Sequence, residues 1–586
     1  MIKEGEPRSL IESVAIGVVG ALSAQLFMLM LRASNYLFLQ KLAGYRPPGL
    51  SEDGGSLHQV IGPHGLWLIP VATTVGGLIS GALVYGFAPE AEGHGTDTVV
   101  NAFHRNEGNL RPRVAPIKML ASAITIGSGG AAGREGPIAL ISAGVASFFA
   151  MRAHRTEEER RLLLLAGMAA GLSAIFRTPM GTGVFAIEVL YGNMEFEIGA
   201  FLYTMVSSAV AYTVNGLFVG WGPLFHLPAV ATPGLSSYAW FAVLGIASGL
   251  VGTLLPMVFY RTRDAFRRLP IPTWTKPGLG ALCVGLLALR VPQILGGGYG
   301  WIQEAIDGRL AVKLLFVLLF TKMIAFSLTV SSGGSGGVFA PSLFIGAMLG
   351  AGFSILFHQP TAVFAIVGMA AVFGSAARVP VATMLMVTEM AGGYHLLVPA
   401  GLAVMIAYLL QSRLSSVLKY RSLYEAQVPT RNDSPAHYLE EIQTGLNLLG
   451  RRDMPLTDKL GHLDLLRLLR ARVRFDLPGG RQLTMGELKE DSSFVGKTIK
   501  QLYEGLRGCE FEIIAIRRRE HILLPHPATI LEAKDRILFI EAPQLCEELH
   551  KHVTPLPPSA QTMEPTTRSA DESASASQPD GHKLQR

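Results

Sequence analysis

The chain has 586 residues, of which 49% are hydrophobic and only 16% are charged, and its mean hydropathy is +0.36. Soluble domains carry about 25% charged residues, so this composition excludes an ordinary soluble protein and indicates a polytopic membrane protein with an attached domain. The three cysteines are too few for a disulfide framework and lack the spacing of metal ligands. The net charge of +6 fits basic cytoplasmic loops and does not by itself indicate a nucleic-acid partner.

Apolar stretches follow one another from about residue 10 to residue 412, each near the ~20 residues that a bilayer requires. The first, 16–39, is long enough to span a membrane and is interpreted as a helix, not as a removable signal. Several later stretches are too short, too long or interrupted by glycine and proline, which indicates broken and re-entrant helices. Basic runs at 152–161 and 261–268 and the charged C-terminal third are expected on the cytoplasmic side.

Two glycine-rich segments, 127–137 and 332–341, interrupt the apolar sequence. When Pro137 is aligned with Pro341, an offset of 204 residues, Glu135 falls opposite Phe339. An ionisable residue in membrane-spanning sequence is costly, which makes Glu135 a candidate functional residue. Broken helices present backbone N–H groups and positive dipole ends, which attract anions. These segments therefore predict an anion path in which Glu135 acts as a carboxylate gate.

A second internal repeat relates residues 167–188 to residues 368–389. Both begin with Gly-Met-Ala-Ala, and the offset is 201 residues from Pro179 to Pro380 and from Glu188 to Glu389. Two similar halves with interrupted apolar segments indicate a substrate site near the membrane midplane. Packing of small residues between helices is the alternative explanation of the repeated motif.

The composition changes after about residue 412, and the sequence predicts four regions. Residues 1–425 form the membrane domain, and residues 426–485 form a linker with a helix around 460–474. Residues 486–552 form a small α/β unit with a helix over 494–506 and strands over 511–517 and 536–541. Residues 553–586 are rich in Ser, Pro, Thr and Ala, and disorder is expected there.

Three motifs of the membrane domain resemble, in the expected order, those of the CLC chloride channels and chloride/proton antiporters. They are Gly-Arg-Glu-Gly-Pro at 133–137, Gly-Val-Phe-Ala-Pro at 337–341 and Ser-Leu-Tyr at 422–424, and the resemblance covers about residues 10–425. It implies an all-α polytopic membrane protein with inverted-topology repeats and re-entrant helices. It also implies a homodimer with a separate pore in each subunit. Chloride is the implied transported ion.

The same resemblance implies which residues contact chloride. Backbone amides of Val338 and Phe339 and those following Arg134 coordinate the anion, together with the hydroxyl of Tyr424. With the loop of the family's first motif included, the candidate anion-binding residues are His94, Gly95, Arg134, Glu135, Gly136, Val338, Phe339 and Tyr424.

The first motif departs from the family, which usually has Gly-Ser-Gly-Ile-Pro where this chain has Gly-His-Gly-Thr-Asp at 93–97. His94 thus stands where the family has the serine that contacts the central anion. A histidine can donate an N–H group to the anion and can make binding pH-dependent near neutrality. Alternatively, only the backbone amides of this loop contact the anion. The choice among chloride, nitrate and other halides stays open.

A second departure concerns proton coupling. Proton-coupled members of the family typically have Glu-Glu where this chain has Glu188 and Val189, and valine cannot carry a proton. The sequence therefore favours a channel or a weakly coupled transporter. A chloride/proton antiporter with another internal proton route is the alternative, and a membrane sensor or scaffold that signals through the C-terminal unit is a third hypothesis. Glu188 and Glu389 are interpreted as structural, hydrogen-bonded carboxylates.

The C-terminal unit resembles the TrkA C-terminal (RCK-C) regulatory domain at 494–499, 513–518 and 531–537. This resemblance implies dimerisation and a small effector, such as the cyclic di-AMP known for some of these domains. Arg517 and Arg518, with Arg519, are candidate phosphate ligands, and a solvated basic strand end is the alternative. We expect no enzymatic activity, catalytic residue, metal, cofactor or nucleic-acid partner. The expected location is the inner or plasma membrane of a bacterium, with the C-terminal domain in the cytoplasm.

Overall fold

The computed structural model describes residues 6–50, 55–228, 234–437, 475–477, 481–506, 511–518, 521–523, 525–541 and 547–555. The chain divides into two compact units, Met1–Ala436 and His437–Arg586. The first unit is helical, and the described part of the second contains a β-sheet and short helices. The helix predicted around 460–474, Arg519 and the tail from residue 556 lie outside the described residues.

The membrane unit consists of helices of very different length. In chain order they are α1 (Glu6–Asn35), α2 (Ile69–Phe87), α3 (Thr96–Arg105), α4 (Val114–Gly127), α5 (Glu135–Arg152), α6 (Glu157–Phe176), α7 (Pro179–Glu188), α8 (Phe201–Val219), α9 (Leu235–Arg268), α10 (Lys276–Ala288), α11 (Tyr299–Ile306), α12 (Val312–Ser331), α13 (Phe339–Leu356), α14 (Thr361–Ala376), α15 (Pro380–Met390) and α16 (Leu397–Ser415). A small antiparallel pair, β1 (Tyr45–Arg46) and β2 (Val60–Ile61), follows α1. Among the described residues, seven helices are long and apolar enough to cross a membrane.

The glycine-rich segments break long apolar runs into separate helices. The run 117–151 becomes α4 and α5, and Gly129 between them has a φ of +108°, which is accessible to glycine and rarely to other residues. Gly333, with a φ of +100°, lies in the same way between α12 and α13. The two breaks meet, because Gly133 and Gly337 exchange both backbone hydrogen bonds at 2.8 and 2.7 Å. Helices α5 and α13 therefore begin beside each other inside the protein.

The second repeat positions α7 and α15 against each other. Glu188, at the end of α7, accepts two backbone N–H groups from the first turn of α15 at 3.1 and 2.6 Å. Glu389, near the end of α15, accepts two from the first turn of α7 at 3.2 and 2.8 Å. The first N–H groups of a helix lack partners within it, so each carboxylate caps the opposite helix. Both carboxylates have the hydrogen bonds expected of structural groups.

In the described residues of the C-terminal unit, six antiparallel strands form a sheet that is accompanied by two short helices. Its elements are β3 (Phe475–Leu477), β4 (Arg481–Leu488), α17 (Ile499–Gly505), β5 (Phe511–Arg518), β6 (His521–Leu523), β7 (Arg536–Glu541), α18 (Glu547–His552) and β8 (Val553–Pro555). The strand order is β3-β4-β7-β5-β6, and β8 pairs with β4. Apolar side chains of β5 and β7 pack with those of α17 to form its core.

Several element boundaries differ from the sequence predictions. The helix predicted from residue 494 begins at Ile499, because Gly496 has a φ of +81° and Thr498 forms a capping box with Gln501. The sheet includes β3 and the first part of β4, which lie before residue 486. Strand β8 lies within the region that was predicted to be disordered, and it is ordered by its pairing with β4. The first unit extends to Ala436 because the chain after Tyr424 remains packed on it.

Candidate functional site

Glu135 is the first residue of α5, and its side chain is directed to the beginning of α13. It is 3% exposed, and its Oε1 accepts the backbone N–H of Ala340 at 2.9 Å. The N-terminus of a helix presents unpaired N–H groups and a positive dipole end, so it favours a negative charge. The carboxylate of Glu135 thus occupies a position suited to an anion.

Three glycines leave the room that this arrangement requires. A Cβ atom on Gly133 would lie 2.1 Å from either carboxylate oxygen of Glu135, and one on Gly337 would lie 2.5 Å from Oε1. A Cβ atom on Gly136 would lie 1.9 Å from the carbonyl oxygen of His94. Any side chain at these positions would displace the carboxylate or separate the loops.

Aromatic side chains connect the beginning of α13 with Tyr424. The ring centroid of Phe339 lies 4.4 Å from that of Phe373, which in turn lies 6.5 Å from that of Tyr424. Tyr424 is 2% exposed and also contacts Phe185, with 6.4 Å between ring centroids. Val338, which precedes α13, is buried as well. The predicted anion-binding residues Val338, Phe339 and Tyr424 therefore lie in one enclosed region.

His94 and Gly95 lie in the loop before α3, and this loop reaches Tyr424. The ring centroids of His94 and Tyr424 are 5.4 Å apart. His94 is 7% exposed, and its Nε2 lies 3.1 Å from Oδ2 of Asp97. Gly336, at the second glycine break, donates its N–H to the loop at Gly93 at 3.1 Å. The two glycine breaks, the segment of Tyr424 and the loop before α3 thus meet in the same part of the membrane unit.

Two fully buried lysines hold the loops of the site, and the sequence reasoning missed both. Lys118 donates to two backbone carbonyls of the loop before α3 at 3.0 and 2.7 Å. Lys322 donates to two carbonyls of the loop before α11 at 2.7 and 2.6 Å. From Lys118 to Lys322 the offset is 204 residues, the same as between the two glycine breaks. The recurrence of a lysine at the same relative position in two apolar stretches could have identified both residues from the sequence.

Basic side chains line two cavities that reach residues of the site. Arg134 is 5% exposed, its guanidinium lies 4.5 Å from the centroid of the Tyr299 ring, and it lines a cavity of about 310 Å³ together with Arg32 and Arg46. Tyr424 lines a different cavity of about 210 Å³, whose basic residues are Arg378, Lys419 and Arg421. Positive charge at both cavities favours the entry of anions.

The residues predicted for the proton pathway lie at the end of α7. Val189 is fully buried and caps this helix, and it has no group that can bind a proton. The carboxylate of Glu188 is engaged with the amides of α15. Position 189 therefore contributes packing but no proton acceptor.

The candidate regulatory arginines lie at the end of β5. Arg518 forms two hydrogen bonds with Asp535 at 2.9 and 2.8 Å and one with Glu532 at 2.7 Å. The hydrogen bond to Asp535 raises the pKa of the Arg518 guanidinium. Asp535 is buried, so this ion pair links β5 to the loop before β7. Arg517, the neighbouring residue on the strand, is half-buried.

Comparison with known families gives two matches. The family of voltage gated chloride channels matches residues 76–412, and the TrkA-C domain matches residues 486–553. Both families, the CLC fold and the presence of a small strand-containing C-terminal domain were predicted from the sequence and are confirmed.

Individual relatives agree with these matches. The H(+)/Cl(−) exchange transporter ClcA of Salmonella arizonae is 32% identical over 416 residues, which cover 67% of this chain and 86% of the relative. ClcA of Salmonella paratyphi C is 31% identical over the same length.

Solved structures share the fold at lower identity. A slow cyanobacterial Cl−/H+ antiporter and a CLC-type fluoride/proton antiporter each have a TM-score of 0.62 and 23% identity. The matches cover 71% and 73% of this chain and 96% and 100% of those structures. This chain therefore belongs to the voltage gated chloride channel (CLC) family, and it is a multi-pass membrane protein of CLC-type chloride transport with a TrkA-C domain.

Proposed function

We propose that this protein moves chloride passively or with weak proton coupling, and that Glu135 is its gate. One observation carries the proposal: the carboxylate of Glu135 accepts the N–H of Ala340 at the beginning of α13. The same helix N-terminus would hold a chloride ion, so the carboxylate and the anion compete for it. Protonation of Glu135 removes the negative charge that holds it there and frees the position for chloride.

The released position offers neutral donors to the anion. These are the backbone amides of Val338 and Phe339, those that follow Arg134, at Glu135 and Gly136, and the hydroxyl of Tyr424. Neutral donors bind an anion weakly enough for it to leave, which conduction requires. Arg134 and the buried Lys118 and Lys322 add positive charge near the path, but they do not form a ring of charged ligands around the anion.

Weak coupling follows from the residue at position 189. A transporter that exchanges protons for chloride needs a group that accepts protons from the cytoplasm, and Val189 provides none. The alternative is a chloride/proton antiporter, because two relatives at 31–32% identity are H(+)/Cl(−) exchange transporters. In that case the internal proton would follow a route that avoids residue 189.

The assembly and regulation belong to the same proposal. The protein acts as a transporter and not as an enzyme, forms homodimers through its membrane and C-terminal domains, and has the latter in the cytoplasm of a bacterial cell. The TrkA-C domain binds a small effector, for which Arg517 and Arg518 are the candidate ligands, and effector binding at Arg518 would compete with its bonds to Asp535 and Glu532.

Simultaneous flux measurements test the proposal. The full chain is reconstituted in liposomes, the voltage is clamped with potassium and valinomycin, and chloride and proton movements are recorded together. We expect chloride efflux with little or no proton movement. Uphill proton transport driven by a chloride gradient at a fixed ratio would show an antiporter. The absence of any anion flux would favour a sensor or scaffold.

A further inference from the structure

Asp97, in the first turn of α3, connects the loop before α3 with the segment that follows Tyr424. Its Oδ2 lies 3.1 Å from Nε2 of His94 and accepts the backbone N–H of Glu425 at 3.2 Å. Its Oδ1 accepts the backbone N–H of Ala426 at 3.1 Å. One carboxylate therefore fixes both a histidine of the anion loop and the chain immediately after the tyrosine.

The second ring nitrogen of His94 is the unusual atom of this arrangement. Nδ1 is buried, and no described residue hydrogen-bonds it. Buried polar atoms without a partner are rare and require an explanation. Nε2 lies 3.1 Å from the Asp97 carboxylate, whose negative charge favours a proton on that nitrogen. With the proton there, Nδ1 is an acceptor in the neutral ring and an N–H donor in the imidazolium. Only the imidazolium can therefore offer a hydrogen bond to an anion at this atom.

We propose that Asp97 is a positioning residue of the anion site beside Tyr424, where it orients His94 so that chloride binds to Nδ1–H and a proton is taken up with the ion. This inference rests on the proposed function, in which these residues form the anion path. The ring of Tyr424 lies beside that of His94, with 5.4 Å between the centroids, so the loop before α3 and the tyrosine line the same site.

The charges around His94 determine the sign of the effect. The neighbouring charged or titratable groups are Asp97 and Glu92 of its own segment, Lys118 of α4, Glu135 of α5, Tyr424, and the pair of Arg263 on α9 with Glu425, 2.5 Å apart. Because chloride binds at Nδ1–H only when the ring is an imidazolium, binding of the ion and uptake of a proton by His94 are linked. Chloride affinity at this site therefore rises as the pH falls, and chloride binding takes up protons.

Calorimetry of the full-length protein in detergent can count these protons. Because displacement of Glu135 also exchanges protons, all variants carry Glu135→Gln. Chloride is titrated in two buffers of different ionisation enthalpy, which gives the number of protons taken up per chloride. We expect the Glu135→Gln protein to take up protons and to bind chloride about fivefold more tightly at pH 6 than at pH 8.

Two further substitutions remove the proposed linkage. Adding His94→Ser or Asp97→Asn should abolish most of the proton uptake and flatten the pH dependence of chloride affinity. Adding Asp264→Asn is the matched control, because Asp264 contacts Tyr420 and Lys419 near the same cavity but not the amides after Tyr424. This control should retain the linkage. Proton uptake is informative because a merely structural role of Asp97 would change affinity equally at every pH.

The possible outcomes separate this inference from the proposed function. Undiminished proton uptake in the His94→Ser protein contradicts the inference, and undiminished uptake in the Asp97→Asn protein contradicts the positioning role. If Asp97→Asn does not fold, Asp97→Glu provides the second test, with reduced uptake expected because the longer side chain misplaces the carboxylate. Absence of chloride flux in the unmodified protein would instead contradict the proposed function itself.

Discussion

The two halves of the membrane unit share their buried charges but differ at their glycine breaks. Lys118 and Lys322 each hold two carbonyls of a loop, and Glu188 and Glu389 each cap the opposite helix. At the breaks, however, the first half has Glu135 where the second has Phe339. The shared groups satisfy backbone atoms, whereas the carboxylate present in one half alone lies at a position suited to an anion.

The loops before α3 and α11 show the same difference. With an offset of 203 residues, which relates Gly95 to Gly298, His94 corresponds to Gly297 and Asp97 to Gly300. Both loops are held by a buried lysine, but only the first carries titratable side chains next to Tyr424. We therefore propose that groups repeated in both halves maintain the fold and that groups found in one half control the ion.

The largest effect is expected from removal of the shared lysines. Lys322→Met leaves two buried carbonyls unpaired, and we expect a loss of about 2–5 kcal/mol of stability. In Lys118→Met each carbonyl keeps one other donor, the hydroxyl of Ser335 or the N–H of Gly336, so the expected loss is smaller, about 1–3 kcal/mol. Thermal unfolding in detergent measures the loss. Lys313→Met is the matched control, because Lys313 is exposed on the same helix as Lys322. Unchanged stability of the Lys322→Met protein would refute the structural role of the shared lysines.

A smaller effect, equal for the two residues, is expected from the shared carboxylates. Glu188→Gln and Glu389→Gln each replace one of two accepting oxygens by an NH₂ group, which should lower stability by about 1–2 kcal/mol. Glu158→Gln, at an exposed position of α6, should change nothing. Proton flux should be unaffected in all three proteins. A change of proton flux in Glu188→Gln alone would assign Glu188 to a proton route.

The smallest change in free energy is expected when one methyl group is added at Gly133, in the first glycine break. In Gly133→Ala the added Cβ would meet both oxygens of the Glu135 carboxylate, which should displace it from Ala340. Loss of this single hydrogen bond, about 1 kcal/mol, should raise chloride flux at neutral pH about fivefold. Gly86→Ala on α2 is the control, because no atom lies within 4 Å of its Cβ position. Combining Gly133→Ala with Glu135→Gln should add nothing to the single Glu135→Gln change.

The sequence predicts those parts of this site that depend on local composition and on repetition. Glycine and proline locate both breaks, and the common offset of 204 residues correctly pairs the segments of Glu135 and Phe339. The helical membrane part and the strands β5 and β7 are likewise visible in the pattern of apolar residues.

Contacts between distant segments could not be predicted in this way. Asp97 reaches backbone N–H groups more than 300 residues away, and backbone donors leave no trace in the identity of Glu425 or Ala426. The start of α17 was placed too early because Phe494 fits an apolar helix pattern, whereas the capping box at Thr498 determines the actual start. Lys118 was overlooked although its repeat at Lys322 is present in the sequence.

The pH dependence of chloride flux in Glu135→Gln liposomes tests the central claim most directly. Glutamine cannot ionise, so the competition between a carboxylate and chloride at the start of α13 disappears. The account predicts a higher flux at neutral pH than in the unmodified protein and the loss of the pH response that Glu135 causes, so that only the smaller dependence through His94 remains. Glu158→Gln keeps the original response. A Glu135→Gln protein with the unmodified flux and pH profile would contradict the assignment of Glu135 as the gate.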